Sequence, residues 1–305
     1  MTAIRFMSLF SLLGTLAGCA SFNYVASDSP AAALTVSAAS PRPRVALVLG
    51  SGGPRGYAHI GVLKVLEEAD IEVDLVVGSS VGALIGAFWA HGYTAAQIDE
   101  IANAGGPLTL FDLSPFADRG WIRGQKLQDY VNTRLGNRSI EQMKRRVIIT
   151  ATRRDDKVPV FFQSGNIGVA VRASSAVSKI ISPVGINGVE YEDADESLPL
   201  AVNAARQAGA QFVIAVDVSA RAGSAPEGTS QAWLIRDAQR RGRIDPEVVA
   251  ADVLIHPDMG YVASPMRHFF IKAQASGEST TRELLPLIKE RLQRGEAQAR
   301  HRAPM

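Results

Sequence analysis

Cysteine is almost missing from this chain. Cys19 is the single one in 305 residues. One thiol forms no intramolecular disulfide, and a cysteine-cluster metal site is excluded. An excess of charge of one sign is missing too. Lys and Arg total 32 against 30 Asp and Glu, a net charge of +2, so charge makes no case for a nucleic-acid partner. The apolar run at residues 6–16 is too short for a transmembrane helix. What is plentiful is apolar residue: 47% of the chain is enough for a sizeable core, and the length suits one large α/β domain or two small ones.

The first residues carry a processing pattern rather than a fold. Residues 1–5 hold one positive charge, residues 6–16 form an apolar segment of signal-peptide length, and Leu16-Ala17-Gly18-Cys19 follows. Leucine, then two small residues, then cysteine resembles the lipobox of bacterial lipoproteins. That resemblance implies cleavage before Cys19 and lipidation of its thiol and amine. It also implies a lipid-anchored protein of the bacterial cell envelope. Ala20 rather than Asp follows the cysteine, which in such lipoproteins implies sorting to the outer membrane, facing the periplasm. Several acyl chains give the stable anchoring that one chain cannot. Residues 19–44 are rich in Ser, Ala and Pro and read as a flexible tether, with folding expected from Val45.

The chemistry is carried by two strand–turn–helix units in succession. Val45-Ala46-Leu47-Val48-Leu49 is a continuous apolar run, the pattern of a strand buried on both faces. It enters Gly50-Ser51-Gly52-Gly53-Pro54-Arg55-Gly56 and then a helix-compatible stretch. The second unit runs from Val73 to Val77, through Gly78-Ser79-Ser80-Val81-Gly82, into another apolar helix. In this G-x-S-x-G pattern the glycines make room for a tight elbow that projects Ser80 at a helix N-terminus. The first glycine loop admits two readings, a phosphate cradle or an oxyanion hole. It lacks the G-x-G-x-x-G spacing with a later acidic residue, and it lacks the Gly-Lys-Ser/Thr ending of a P-loop. Adjacent parallel strands would place both loops at the same carboxyl edge of the sheet. A nucleophile beside unhindered N–H groups at Gly52 and Gly53, with positive potential from Arg55, describes acyl transfer.

These residues, with His59-Ile60-Gly61-Val62-Leu63, Arg172-Ala173-Ser174-Ser175-Ala176 and the strand Phe212-Val213-Ile214-Ala215-Val216-Asp217-Val218, resemble the patatin-like phospholipases over residues 45–219. The resemblance implies a three-layer α/β sandwich, with a mostly parallel sheet and helices on both faces. It implies a serine lipid acyl hydrolase, a carboxylic ester hydrolase of phospholipase A or esterase type acting in lipid metabolism. In that family one aspartate serves as the partner of the serine. Here its segment is Glu190-Tyr191-Glu192-Asp193-Ala194-Asp195-Glu196-Ser197-Leu198-Pro199. Asp193 is the expected base and Asp195 the alternative. Two departures from the family pattern stand out: Ser51 replaces the first loop glycine, and Ala194 replaces the glycine after the aspartate.

The expected scheme uses Ser80 and Asp193, with Gly52, Gly53 and Arg55 at the oxyanion, and needs no metal or cofactor. The expected substrate is a membrane lipid or other fatty acyl ester. A Ser–Asp–His triad through His256 or His268 is the competing arrangement, since late histidines fit that chain order. His59 reads as a packing residue. A different class of function is a non-catalytic envelope lipoprotein that uses a degenerate form of this fold to bind lipid or a protein. Phe111, Leu113, Phe116 and Trp121 lie in a loop region, as acyl-groove, membrane-facing or core residues. Residues 231–241 read as a basic helix ended by Gly242, with Arg236, Arg240 and Arg241 on a solvated face, and residues 279–293 as an amphipathic helix. The expected division is signal peptide 1–18, tether 19–44, catalytic domain 45–220, and a C-terminal extension 221–305 packed on the same domain.

Overall fold

The computed structural model describes residues 23–105 and 110–302. The signal peptide, Cys19 and its lipidation lie outside the described residues. Five parallel strands form the centre of one sheet: β3 (Val45–Leu49), β4 (Leu75–Ser79), β5 (Arg146–Arg153), β9 (Phe212–Val216) and β10 (Val253–Ile255). Their order is β5-β4-β3-β9-β10. Beyond β5 the sheet turns antiparallel through β6 (Pro159–Phe162), β7 (Val184–Ile186) and β8 (Val189–Glu192). The short strands β1 (Asn23–Tyr24) and β2 (Ala32–Ala33) close two edges.

The alternation within β3 explains the layers. Val45, Leu47 and Leu49 face one core cluster, and Ala46 and Val48 face the other. With apolar side chains on both faces, the strand must be covered on both. The first cover is α1 (Tyr57–Glu68), α2 (Val81–His91), α3 (Ala95–Asn103), α4 (Gln125–Arg134), α5 (Ile167–Ser174) and α8 (Arg267–Arg302). The second is α6 (Val202–Gln207) and α7 (Gln231–Val248), through Ala204, Ala205 and Ile244. This is the expected three-layer α/β sandwich.

Three expectations about the flanks change. Residues 23–44 lie on the domain rather than apart from it. Asn23–Tyr24 pairs with β7, Ala32–Ala33 pairs with β6, and Val36 and Ala39 are buried. Composition pointed to a tether because small residues cannot build a core. Edge strands, however, present unpaired N–H and C=O groups, and a small-residue strap satisfies them. Helix α7 runs through Gly242 to Val248 and includes Pro246, since a glycine with ordinary helical backbone angles permits a stop without forcing one. Helix α8 begins at Arg267, well before residue 279, because Phe269, Phe270 and Ala273 are buried in the core.

Candidate active site

Leu49 and Gly78 are register partners on neighbouring parallel strands, so the glycine loop and the serine elbow leave the sheet side by side. At the elbow Ser80 has φ 54° and ψ −120°, a left-handed region that L-residues rarely adopt. Its neighbours must be small. A Cβ on Gly78 would lie 2.5 Å from Ala83 Cα, and one on Gly82 would lie 2.1 Å from the Leu49 carbonyl oxygen. Thus Gly78 lets the elbow close on its own helix, and Gly82 lets it pass under the first loop. The Ser80 N–H donates to Ser174 Oγ at 2.8 Å, which ties the elbow to the end of α5.

The Ser80 hydroxyl donates to Asp193 Oδ2 at 2.7 Å. Asp193 is buried, and its second oxygen accepts from the Asp195 N–H at 2.8 Å. Its own N–H donates to the Ala176 carbonyl at 3.0 Å, and Thr152 Oγ1 donates to its carbonyl at 2.8 Å. The segment 172–176 therefore positions both members of the pair, Ser80 through Ser174 and Asp193 through Ala176. Burial, reinforced by the charge of Asp195, pushes the Asp193 carboxyl up from 3.8 to about 7.

Asp195 does not reach Ser80. Its Oδ1 accepts from Ser51 Oγ and from Arg240 Nε, the latter at 2.7 Å. Burial opposes its ionisation, but Arg240 and Ser51 outweigh burial and hold the carboxyl below its ordinary value. The two aspartates thus have separate environments two residues apart. Alanine at 194 is accommodated because Asp193 is extended at φ −51°, ψ 138° and caps a short 3₁₀ turn over Ala194–Glu196, where no positive φ is required.

In the glycine loop the Ser51 N–H donates to the Pro199 carbonyl and the Arg55 N–H to the Gly52 carbonyl. Among the described residues, no hydrogen bond uses the N–H of Gly52 or Gly53. Gly53 has φ 53° and lines the cavity below. A Cβ on Gly52 would come within 2.6 Å of Val218 Cγ2, so glycine is needed there for close packing. The guanidinium of Arg55 is placed differently from expectation. It donates to the carbonyls of Gly260, at 2.9 Å, and of Tyr261. It secures the C-terminal segment, because those carbonyls offer a buried cation its acceptors.

Among the described residues, no histidine joins the pair. His256 Nε2 donates to the Ser219 carbonyl at 3.0 Å, and His268 is exposed on α8. His59 is fully buried, its Nε2 donating to the Gly50 carbonyl at 2.8 Å, and burial lowers its pKa to about 4. It is a neutral brace beneath the loop.

A cavity of about 280 Å³ opens at Ser80 and Gly53 and runs between α2, α3 and α4. Leu84, Phe88, Ile98, Phe111 and Phe270 are among its walls. Outside it, Leu113, Phe116 and Trp121 stand exposed. The Trp121 N–H donates to the Ile180 carbonyl at 2.9 Å, next to the wall residue Ile181.

Residues 47–195 match the family model described as patatin-like phospholipase. Over this segment the chain is a member of the patatin-like phospholipase family. It is 36% identical over 208 residues to an uncharacterized NTE family protein of Mycobacterium tuberculosis, a match covering 65% of this chain and 56% of that protein. It is 31% identical over 194 residues to the lysophospholipase nte1 of Aspergillus fumigatus, covering 62% of this chain and 12% of that one. It thus spans only about half of the mycobacterial relative and a small part of the fungal one. The fold is also similar to the crystal structure of VipD from Legionella pneumophila, with a TM-score of 0.56 at 13% identity over 80% of this chain and 67% of that one. A residue missed by the sequence reading is Arg240, which lies outside the matched segment on α7 and reaches both Asp195 and Ser51. Its neighbour Arg241 pairs with Asp217 at 2.8 Å, so the expected solvated face is partly an ion-pair face. Basic residues at helical spacing gave no sign of carboxylates so far away in sequence.

Proposed function

We propose that this protein is a serine lipid acyl hydrolase using a Ser80–Asp193 dyad. The observation that carries the reading is the 2.7 Å hydrogen bond from Ser80 Oγ to Asp193 Oδ2 at the head of an apolar cavity. Ser80 Oγ attacks the ester carbonyl carbon while its proton passes to Asp193. The oxyanion of the tetrahedral intermediate is held by the N–H groups of Gly52 and Gly53. Collapse breaks the C–O bond, and the leaving alcohol takes the proton from Asp193. Asp193 then deprotonates a water, which attacks the acyl-serine; the fatty acid departs and Ser80 recovers its proton.

An acyl chain suits the cavity because most of its wall residues are apolar. The fungal relative is a lysophospholipase, which favours an amphiphile with one acyl chain. Exposed Phe116 and Trp121 near the cavity give such a substrate an apolar route in from a lipid surface. Anchoring through a lipidated Cys19 would keep the enzyme at an envelope membrane. Mass spectrometry of the protein isolated from bacterial membranes tests that anchor, and loss of the acyl mass in Cys19→Ser is expected.

The deciding experiment is fluorophosphonate labelling and turnover of p-nitrophenyl esters and a lysophospholipid by wild type, Ser80→Ala, Asp193→Ala and Asp195→Ala. We expect Ser80→Ala and Asp193→Ala to lose about a thousandfold or more in kcat, with Asp195→Ala less affected. A folded wild type that neither labels nor turns over would leave a lipid- or protein-binding envelope lipoprotein in place of an enzyme.

A further inference from the structure

One departure from the family motif, Ser51, meets in space the neighbour of the other, Asp195 beside Ala194. Ser51 and Asp195 are 144 residues apart in sequence, yet the Ser51 hydroxyl donates to Asp195 Oδ1. Arg240 closes the group from α7. Its Nε donates to Asp195 Oδ1 at 2.7 Å, and its Nη2 donates to the Ser51 carbonyl at 2.8 Å and to Ser51 Oγ at 2.9 Å. The side chain is only 14% exposed, so the pair is largely shielded from solvent. From Asp195 the connection continues inward: its N–H donates to Asp193 Oδ1, and the other oxygen of Asp193 receives Ser80.

We propose that Arg240 is a positioning residue for the Ser80–Asp193 pair, a guanidinium clip that fastens the oxyanion loop at Ser51 to the turn carrying Asp193. This role rests on the dyad proposed above. A family loop with glycine at position 51 has no hydroxyl there to be gripped. In this chain serine supplies the hydroxyl, Asp195 supplies the charge, and α7 supplies a cation whose planar fork spans both. The clip also sets local charge. The acidic turn presents Asp193, Asp195 and Glu196, facing Arg236 and Arg240 from α7, and Arg240 in turn faces Arg55 of the glycine loop. Removing Arg240 leaves the Asp195 charge beside Asp193 with only Arg236 to offset it, which makes Asp193 harder to ionise.

The test uses the full chain in detergent: wild type, Arg240→Gln, Arg240→Lys and Ser51→Ala. Thermal unfolding, fluorophosphonate labelling of Ser80, and kcat and KM on a p-nitrophenyl ester are followed through neutral pH. We expect Arg240→Gln to lose about tenfold in kcat with little change in KM, and its acid limb to move to higher pH. Arg240→Lys keeps the charge and should restore the limb while recovering kcat only in part. Ser51→Ala removes one arm of the clip and should lower kcat less than Arg240→Gln does. It stands in for Arg240→Gln if that variant fails to fold. Wild-type kcat and pH profile in a folded Arg240→Gln, or in Ser51→Ala where Arg240→Gln does not fold, would overturn the clip alone. A wild type whose Ser80 does not label would overturn the dyad and the clip together.

Discussion

Asp193 is the residue whose environment does most to define this site. Its carboxyl is raised to about 7, first by burial and then by Asp195. As the base of the proposed dyad it must be unprotonated, so kcat/KM should climb as pH rises through about 7 and level off above it, measured on an uncharged ester. The same shift bears on stability. The folded chain keeps a proton that the unfolded chain releases near 3.8, so the group's contribution to stability falls as pH rises between those two values. Asn at 193 removes the penalty. Asp193→Asn should be more stable than wild type above pH 7, by on the order of a few kcal/mol, while losing turnover. Calorimetry at acidic and alkaline pH checks this, since the advantage should vanish in acid. Gly82 makes a steric counterpart. Alanine there would drive a methyl against the Leu49 carbonyl, and Gly82→Ala should cost about 3 kcal/mol or more in denaturant unfolding, because backbone on both sides has nowhere to move.

Among the elements, α1 and α8 cross at two glycines. A Cβ on Gly61 would fall 2.1 Å from the Gln274 carbonyl oxygen, and one on Gly277 would fall 2.1 Å from the Ala58 carbonyl oxygen. The helices therefore touch backbone to backbone, and Tyr57 stacks on Phe270 with ring centroids 4.0 Å apart. Because Phe270 and Tyr57 also line the cavity, the crossing shapes it. Gly277→Val should loosen α8, lower the unfolding temperature and raise KM for long-chain esters more than for short ones. The loop that includes Phe116 and Trp121 makes a separate prediction. These side chains are 81% and 70% exposed, so Phe116→Ser with Trp121→Ser should leave stability and soluble-ester turnover nearly unchanged. Sedimentation with phosphatidylcholine vesicles should show weaker binding, since the loss removes apolar area available to a lipid surface.

For the whole molecule, the matched segment 47–195 is not a self-sufficient unit. Strand β9 pairs with β3, β10 pairs with β9, and α8 covers α1. Before the segment, residues 23–44 complete the edges of β6 and β7. Further ties come from the Ala39 N–H to the Ala208 carbonyl at 2.9 Å, and from Asn166 Nδ2 to Asp28 Oδ2 at 2.9 Å. A chain begun at Val45 should therefore unfold at lower temperature than one begun at Asn23 and aggregate more readily on heating. Light scattering during a thermal ramp compares the two, and an open strand edge is the physical cause.

The sequence by itself determined the features whose information is local. Apolar runs of five residues set β3 and β4 and required cover on both faces. The glycines around Ser80 defined the elbow, because steric room is a matter of near neighbours. The consecutive loops at 50–56 and 78–82 met at one edge because parallel strands allow nothing else. Only the tertiary structure decided matters that depend on distant approaches. Ser80 and Asp193 are 113 residues apart, and the choice between Asp193 and Asp195 turned on which one Arg240 held away from the serine. Arg55 looked like part of the oxyanion site until the carbonyls of Gly260 and Tyr261, over 200 residues later, proved to be its partners. Residues 23–44 looked free because their composition builds no core, while the sheet edges that bind them belong to strands well over 100 residues away. Periodicity and spacing describe what a segment can form with itself; a charge or a strand edge takes its meaning from the partner that folding brings to it.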